Sequence, residues 1–380
     1  MVAIYYILAL ISWLIGAIFL LPLSLKKKYR SAIPARFFLF NNPKFKDAKV
    51  HFHACSYGEI QALTPIMRKF EDKAISVVTH TGFEAAKKIS QNSRFLPFEI
   101  FLPFWLKKSK ILVIFEAELW LMLVFVAKLN GSRVILINAR ISDRSYARYK
   151  KFSFFYATIF RYIDQVYAQS DLDKERLMSL GAKDIKVAGN VKSAFASQPG
   201  KIYKKPKERV IVLASTHEGE EKMLLENLKL SKNDKLVIAP RHPERFASVG
   251  EFVKEWSHKH GFEFDKFSQN GNFNRQITLL DTLGELVNVY AISDVVVLGG
   301  SFVSGIGGHN PIECANFNPI LVSGEHVFNQ KALFRLVSGV KFIKTNELND
   351  VLSLYKERAR IINKADITAI IDDIRSSYEQ

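Results

Sequence analysis

The stretch HFHACSYGEIQALTPIM, residues 51–67, reads as a strand running into a helix, with Glu59 just past a Ser-Tyr-Gly turn. One such unit specifies little, but its repetition specifies a fold. The first half of the chain continues with ISVVTH, ILVIF, RVILINA, QVYAQS and IKVAG, with helix-length amphipathic stretches between these apolar runs. Residues 194–208 are polar and basic and contain Pro and Gly, so they read as a linker. The pattern then restarts with RVIVLAS, KLVIAP, ITLLD, VVVLGGS, PILVS and VKFIK. Such alternation indicates an α/β protein with parallel sheets. A chain of 380 residues is long for one compact core. The expected architecture is therefore two Rossmann-like domains, residues 26–193 and 209–380, facing a cleft. The last thirty residues read as helix and fall in the second domain.

The first 25 residues stand apart. From Val2 to Leu25 there is no charge, and KKKYR follows at once. Twenty-four helical residues reach about 36 Å, against about 30 Å for a bilayer's hydrocarbon core. A basic n-region and a small-residue cleavage site are both missing, which argues against a cleaved signal peptide. The expectation is one membrane span or a deep anchor, with everything after the basic flank on the cytoplasmic side. A shallow anchor lying along the membrane is the alternative that Pro22 and the tyrosines allow.

The net charge of +17 is unevenly distributed: residues 26–192 hold 30 Lys and Arg against 14 Asp and Glu. Beyond residue 192 the chain is nearly neutral. A basic half tethered beside a membrane suits anionic lipid or an anionic lipid-linked substrate. Nucleic acid is not expected as a partner, because no helix-turn-helix, zinc-finger or RRM pattern is present. Cys55 and Cys314 lie far apart with no metal-ligand spacing, in keeping with a reduced compartment. No metal or cofactor is expected.

The unusual residues collect at the C-terminal ends of the expected strands, where open α/β sheets bind ligands. GGSFVSGIGGHNPIE (299–313) has five glycines in ten residues and then Asn-Pro opening a short helix. Glycines let backbone N–H groups approach a phosphate, and a helix N-terminus favours the anion. APRHPERF (239–246) places Arg241 and His242 after a strand, and the planar guanidinium fork matches phosphate. Arg245 fits a surface helix start instead. DTLGEL (281–286) offers Gly284 and backbone donors. FEAELW (115–120) puts Glu116 and Glu118 at a strand end, on one face if the strand continues through them. GNVK ends on Lys192. His51 and His53 share one strand face and suit the core or a supporting position better than a metal site. Ser215, Thr216 and His217 are weaker candidates. Glu59 itself reads either as a first-turn carboxylate favoured by the helix dipole or as a base.

HACSYGE, FLPF, FEAELW, NARISDRS, GNVK, ASTHEGEE, PRHPERF, DTLGEL and GGHNPIE together resemble, in order, the motifs of bacterial Kdo transferases. The resemblance runs from about residue 1 to about residue 330. It implies a GT-B glycosyltransferase moving 3-deoxy-D-manno-octulosonic acid, with inversion, from CMP-Kdo to a lipid A precursor at the cytoplasmic face of the bacterial inner membrane. By the same resemblance Glu59 matches the general base. Pro240, Arg241, Leu283, Gly284, Glu285, Asn310, Pro311, Ile312 and Glu313 match the CMP-binding positions. Glu118 and Lys192 match the positions that stabilise the transition state, with Glu116 the alternative to Glu118. Leu121 stands where the family usually has proline, and Tyr57 where it has a small aliphatic residue. Two rival readings remain: another GT-B nucleotide-sugar enzyme such as an epimerase, and a non-catalytic membrane scaffold for anionic lipids.

Overall fold

The computed structural model describes residues 1–26, 29–195, 198–362 and 364–379. Two positions of the expected linker, 196 and 197, and two of the basic flank, 27 and 28, lie outside the described residues. The chain divides into two compact units, Met1–Phe195 with Ala365–Gln380, and Ala196–Lys364.

The first unit is built on seven parallel strands: β1 (Val50–Ala54), β2 (Lys73–Val77), β3 (Ser93–Phe95), β4 (Ile111–Phe115), β5 (Arg133–Ala139), β6 (Gln165–Ala168) and β7 (Ile185–Val187). Their order is β3-β2-β1-β4-β5-β6-β7. The second unit repeats the plan with β8 (Arg209–Thr216), β9 (Asp234–Pro240), β10 (Phe264–Lys266), β11 (Ile277–Leu279), β12 (Val295–Leu298) and β13 (Ile320–Ser323). Then come β14 (Val337–Ser338), β15 (Val340–Phe342) and β16 (Arg360–Ile361). The order of its main sheet is β10-β11-β9-β8-β12-β13-β15, and β14 pairs antiparallel with β16.

Continuous apolar runs, rather than alternating ones, form the central strands because helices cover both faces. In β4, Leu112 and Ile114 pack into one core layer while Ile111, Val113 and Phe115 pack into the other. Val296 and Leu298 of β12 face one layer of the second unit, and Val295 and Val297 the opposite one. Each sheet has a point where the winding direction reverses, between β1 and β4 in the first and between β8 and β12 in the second. Crevices outside the carboxyl ends of the strands at such points are where ligands bind in open α/β sheets.

The end of the chain departs from expectation. Residues 355–362 and 364–367 are not helical, and β16 lies among the first of these. The final helix, Thr368–Glu379, belongs to the first unit rather than the second. Its Ile370 and Ile374 are fully buried under the first sheet. Asp373 pairs with Arg133 at 2.8 Å and accepts the Tyr167 hydroxyl at 3.0 Å. Burying two isoleucines contributes roughly 3–6 kcal/mol, enough to draw the helix to that surface.

The N-terminal helix (Val2–Ser24) is long and apolar enough to cross a membrane, and Ala9 is its one buried residue. It nonetheless packs on its own unit. The Tyr5 hydroxyl donates to Glu99, that of Tyr6 to the Ile100 carbonyl, and Trp13 Nε1 to the Phe37 carbonyl.

Candidate active site

In the first unit the site assembles around the β1/β4 reversal. Ser56 turns the chain from β1 into the helix Tyr57–Met67, and Glu59 is the third residue of that helix. Both of its carboxylate oxygens are held: Oε2 accepts the Cys55 N–H at 2.7 Å and Oε1 the Ser56 hydroxyl at 3.0 Å. Burial is the largest influence on its titration and pushes the carboxyl up. The Cys55 N–H and Ser56 hydroxyl pull it back, while Glu116 and Glu118 push it further, to about 7 overall. The carboxylate therefore caps the turn and also titrates near neutrality, where a general base works best.

Glu116 does not continue β4. The strand stops at Phe115, and Glu116 sits in the left-handed region at φ 58°. The expected sharing of one strand face by Glu116 and Glu118 is therefore corrected: the chain turns between them, and each has its own partners. Glu116 accepts Asn138 Nδ2 at 3.2 Å and Lys192 Nζ at 3.3 Å. Asn138 is itself left-handed, at φ 56°, where β5 slips register against β6. Its Oδ1 accepts the Val191 N–H at 2.9 Å, and Asn190 caps the Lys192 N–H. A buried asparagine thus sets the position of the turn carrying Lys192. Backbone held in this region costs of order 1–3 kcal/mol and clusters at functional sites.

Glu118 faces the other way. Its Oε2 accepts Trp120 Nε1 at 2.8 Å and stands 3.6 Å from His53 Nε2. Burial acts to raise this carboxyl, but the His53 imidazole and the Trp120 N–H outweigh it and hold it below its ordinary range. His51 and His53 both bond Ser76 Oγ, at 2.7 and 2.8 Å, so the two histidines are supports in the core. Leu121 opens the helix Leu121–Leu129 with its side chain fully buried. Proline is well suited to that first helical position, and leucine replaces it there by adding to the core.

The second unit gathers its loops at the β8/β12 reversal. Glu220, fully buried, accepts four backbone N–H groups. Oε2 takes those of His217 at 2.9 Å and Gly300 at 2.7 Å, and Oε1 those of Ser301 at 3.1 Å and Phe302 at 2.9 Å. This corrects the expectation for the glycine loop. The first N–H groups after β12 hold an internal carboxylate and are not available to an anion. Gly299 is required because a Cβ there would come within 2.8 Å of Glu220 and of the Ser215 carbonyl.

Further along the loop, Asn310 accepts the Ile312 N–H at 3.0 Å, with Pro311 in the first helical turn. Glu313 is exposed and reached by Asn310 Nδ2 at 3.4 Å. Pro240 ends β9, and the exposed Arg241 has no hydrogen bond or ion pair through its guanidinium among the described residues. Arg245 is structural, as expected: it pairs with the buried Glu221 at 2.7 Å and bonds the Thr216 carbonyl. Glu285 is buried, and its oxygens accept Lys201, Tyr203 and Asn288, each at 2.7 Å. What the DTLGEL loop leaves open is the backbone at the exposed Leu283 and Gly284, the latter at φ 86°.

Sequence reasoning missed Glu220, Asn138 and His309. Glu220 was visible only as one of several acids in ASTHEGEE, and nothing local distinguishes a four-fold acceptor from a helix-dipole partner. Among the described residues no group of three or more His, Cys, Asp or Glu is arranged to hold a metal ion.

Comparison with known proteins adds to this geometry. Residues 31–195 match the family described as 3-Deoxy-D-manno-octulosonic-acid transferase (kdotransferase). The 3-deoxy-D-manno-octulosonic acid transferase of Haemophilus influenzae is 31% identical over 356 residues, covering 86% of this chain and 82% of that protein. The enzyme of the same name from Chlamydia pneumoniae is 26% identical over 392 residues, covering 91% and 88%. In fold, the chain is similar to UDP-GlcNAc 2-epimerase from Neisseria meningitidis bound to UDP-GlcNAc. The TM-score is 0.51 at 11% identity, with 87% of this chain and 93% of that one covered.

Proposed function

The chain belongs to the 3-deoxy-D-manno-octulosonic acid transferases, and from that premise we propose that it moves Kdo from CMP-Kdo to a lipid A precursor with inversion, Glu59 serving as the base. The observation carrying this reading is the Glu59 carboxyl, raised to about 7 beside Glu116 and Glu118 at the β1/β4 reversal. Glu59 removes the proton of the acceptor hydroxyl as that oxygen bonds the anomeric carbon. The bond from that carbon to the phosphate oxygen breaks, and its electron pair leaves with CMP. Lys192, aligned by Glu116 and Asn190, supplies positive charge during the transfer. Glu118, held ionised, stabilises the cationic character that develops on the sugar.

In this reading the donor nucleotide binds the second unit, at Arg241, the Leu283–Gly284 backbone and the helix start at Asn310–Glu313. Its single phosphate is neutralised by side chains. The deciding assay is CMP release from CMP-Kdo with and without a lipid A precursor. Release that requires the acceptor and is lost in Glu59→Gln supports the proposal. Acceptor-independent turnover of wild type, or full turnover of the variant, rejects it.

We place the catalytic units on the cytoplasmic side of the inner membrane, with the N-terminal helix lying in the interface. The support is the set of bonds from Tyr5, Tyr6 and Trp13 to the first unit, beside the exposed Ile4, Ile7, Leu8, Ile11, Ile15 and Ile18. A helix crossing the membrane would have to give those bonds up. A tag before Met1 should stay accessible from the cytoplasmic side, and protection there with exposure on the far side would establish a span.

A further inference from the structure

Two histidines in the second unit have no part in the reading above. His217 follows β8, and His309 immediately precedes the Asn310 cap. Their Nε2 atoms stand 2.9 Å apart, with ring centroids at 5.1 Å and planes 16° from parallel. The rings therefore meet nitrogen to nitrogen. A contact this short needs one proton between the two nitrogens, so one ring donates and the other accepts.

Cationic and donor groups predominate around the pair, with Glu220 and Glu313 the carboxylates nearby. His242 packs edge-on against His217, with centroids 5.1 Å apart. Arg241 and Arg245 act on His217, and Arg241 acts on His309. Arg245 is committed to Glu221, whereas the Arg241 guanidinium makes no hydrogen bond or ion pair among the described residues. Glu220 holds four backbone N–H groups. Glu313 is raised by burial, against the pull of the Asn310 amide and of Arg241. Burial first, and then the His217, Arg241 and His242 charges, lower His309 to about 4. His217 is also lowered, chiefly by burial and against the pull of Glu220. Burial and the neighbouring cations thus favour the neutral form of both rings.

We infer that His217 and His309 form a proton-accepting anion site for the phosphate of the donor's nucleotide, taking up one proton from solvent when that phosphate arrives. The inference rests on the donor-site reading above and deepens it. Its chemical logic lies in the change of charge. The sugar-linked phosphate is a diester with one negative charge, while the departing CMP is a monoester carrying nearly two at neutral pH. An imidazolium shared by the pair meets that second charge. The acceptor's own proton goes to Glu59 and is not the one the pair takes up.

Calorimetry of the full-length protein with CMP, in HEPES and in Tris at about pH 7.5, reads the linkage directly. Wild type should take up a substantial fraction of a proton per CMP. Cytidine, which has no phosphate, should cause none. Binding the CMP dianion itself releases protons, and uptake onto the phosphate by binding the monoanion would persist in both histidine variants, which separates it from uptake by the pair. His309→Gln and His217→Gln should each abolish the uptake and weaken CMP by about tenfold at pH 6.5, with a smaller loss at pH 8. Intact CMP binding with buffer-independent heat in wild type would overturn the inference alone, as would full uptake in both variants. Failure of wild type to bind CMP at all would remove the donor-site reading and this inference with it.

Discussion

Replacing Glu59 with Gln should move activity and stability in opposite directions. The side chain keeps its shape, its carbonyl can still accept the Cys55 N–H, and its amide can donate to the Ser56 hydroxyl. What disappears is the negative charge. A carboxyl raised by burial and by Glu116 and Glu118 from 4.5 to about 7 is ionised at pH 8 at a cost to the fold. That shift corresponds to at most about 3 kcal/mol, and solvent at this partly exposed side chain reduces it to roughly 1–2 kcal/mol. The sign follows from proton binding. Between the unfolded value and about 7 the folded state holds more protons, so wild-type stability falls as pH rises through that window. Thermal unfolding should therefore find Glu59→Gln more stable than wild type at pH 8, with the difference vanishing near pH 4.5. Turnover should drop by about 10²–10⁴, while wild-type kcat/KM rises with pH through an apparent value near 7. A variant that keeps wild-type turnover refutes the role as base. One that is no more stable than wild type at pH 8 refutes the account of why the carboxyl is suited to it.

Three further outcomes are expected. Arg241→Ala and Glu313→Ala should weaken CMP binding in calorimetry without changing association with lipid vesicles; unchanged affinity in both would remove the nucleotide from these loops. Glu220→Gln turns one accepting oxygen into a donor against buried N–H groups, at a cost of roughly 2–4 kcal/mol. Hydrogen exchange of the amides at 300–302 should then lose protection, and unaltered protection would show that the carboxylate does not organise the loop. Deleting residues 2–25 should abolish binding to neutral vesicles and leave binding to anionic ones at low salt. That residual binding should decay as the screening length shortens from about 30 Å at 0.01 M to about 8 Å at 0.15 M, whereas equal binding to both vesicle types would mean that the basic half is not a membrane surface.

Local chemistry was enough to announce much of this protein. Continuous apolar runs such as ILVIF and VVVL are of strand length and suit strands covered on both faces, and their alternation with helical stretches indicates parallel sheets. Glycine, proline and charged residues at strand ends marked the loops where a ligand would sit, because such residues are costly inside regular structure. Glu59, Arg241 and the Asn310–Glu313 turn stand out as candidates for that reason. Partnership does not, since it depends on residues far apart in the chain. Only the fold showed that Lys192 pairs with Glu116 while Glu118 turns toward His53 and Trp120. It also showed Glu285 tied to Lys201, Tyr203 and Asn288, and the glycine loop's first donors meeting Glu220. The last helix shows the same limit. Its isoleucine spacing specifies an amphipathic helix, but nothing in the spacing says which sheet it covers. That was decided by the apolar surface left under the first sheet and by Arg133 and Tyr167 waiting for Asp373, contacts made across more than two hundred residues of sequence.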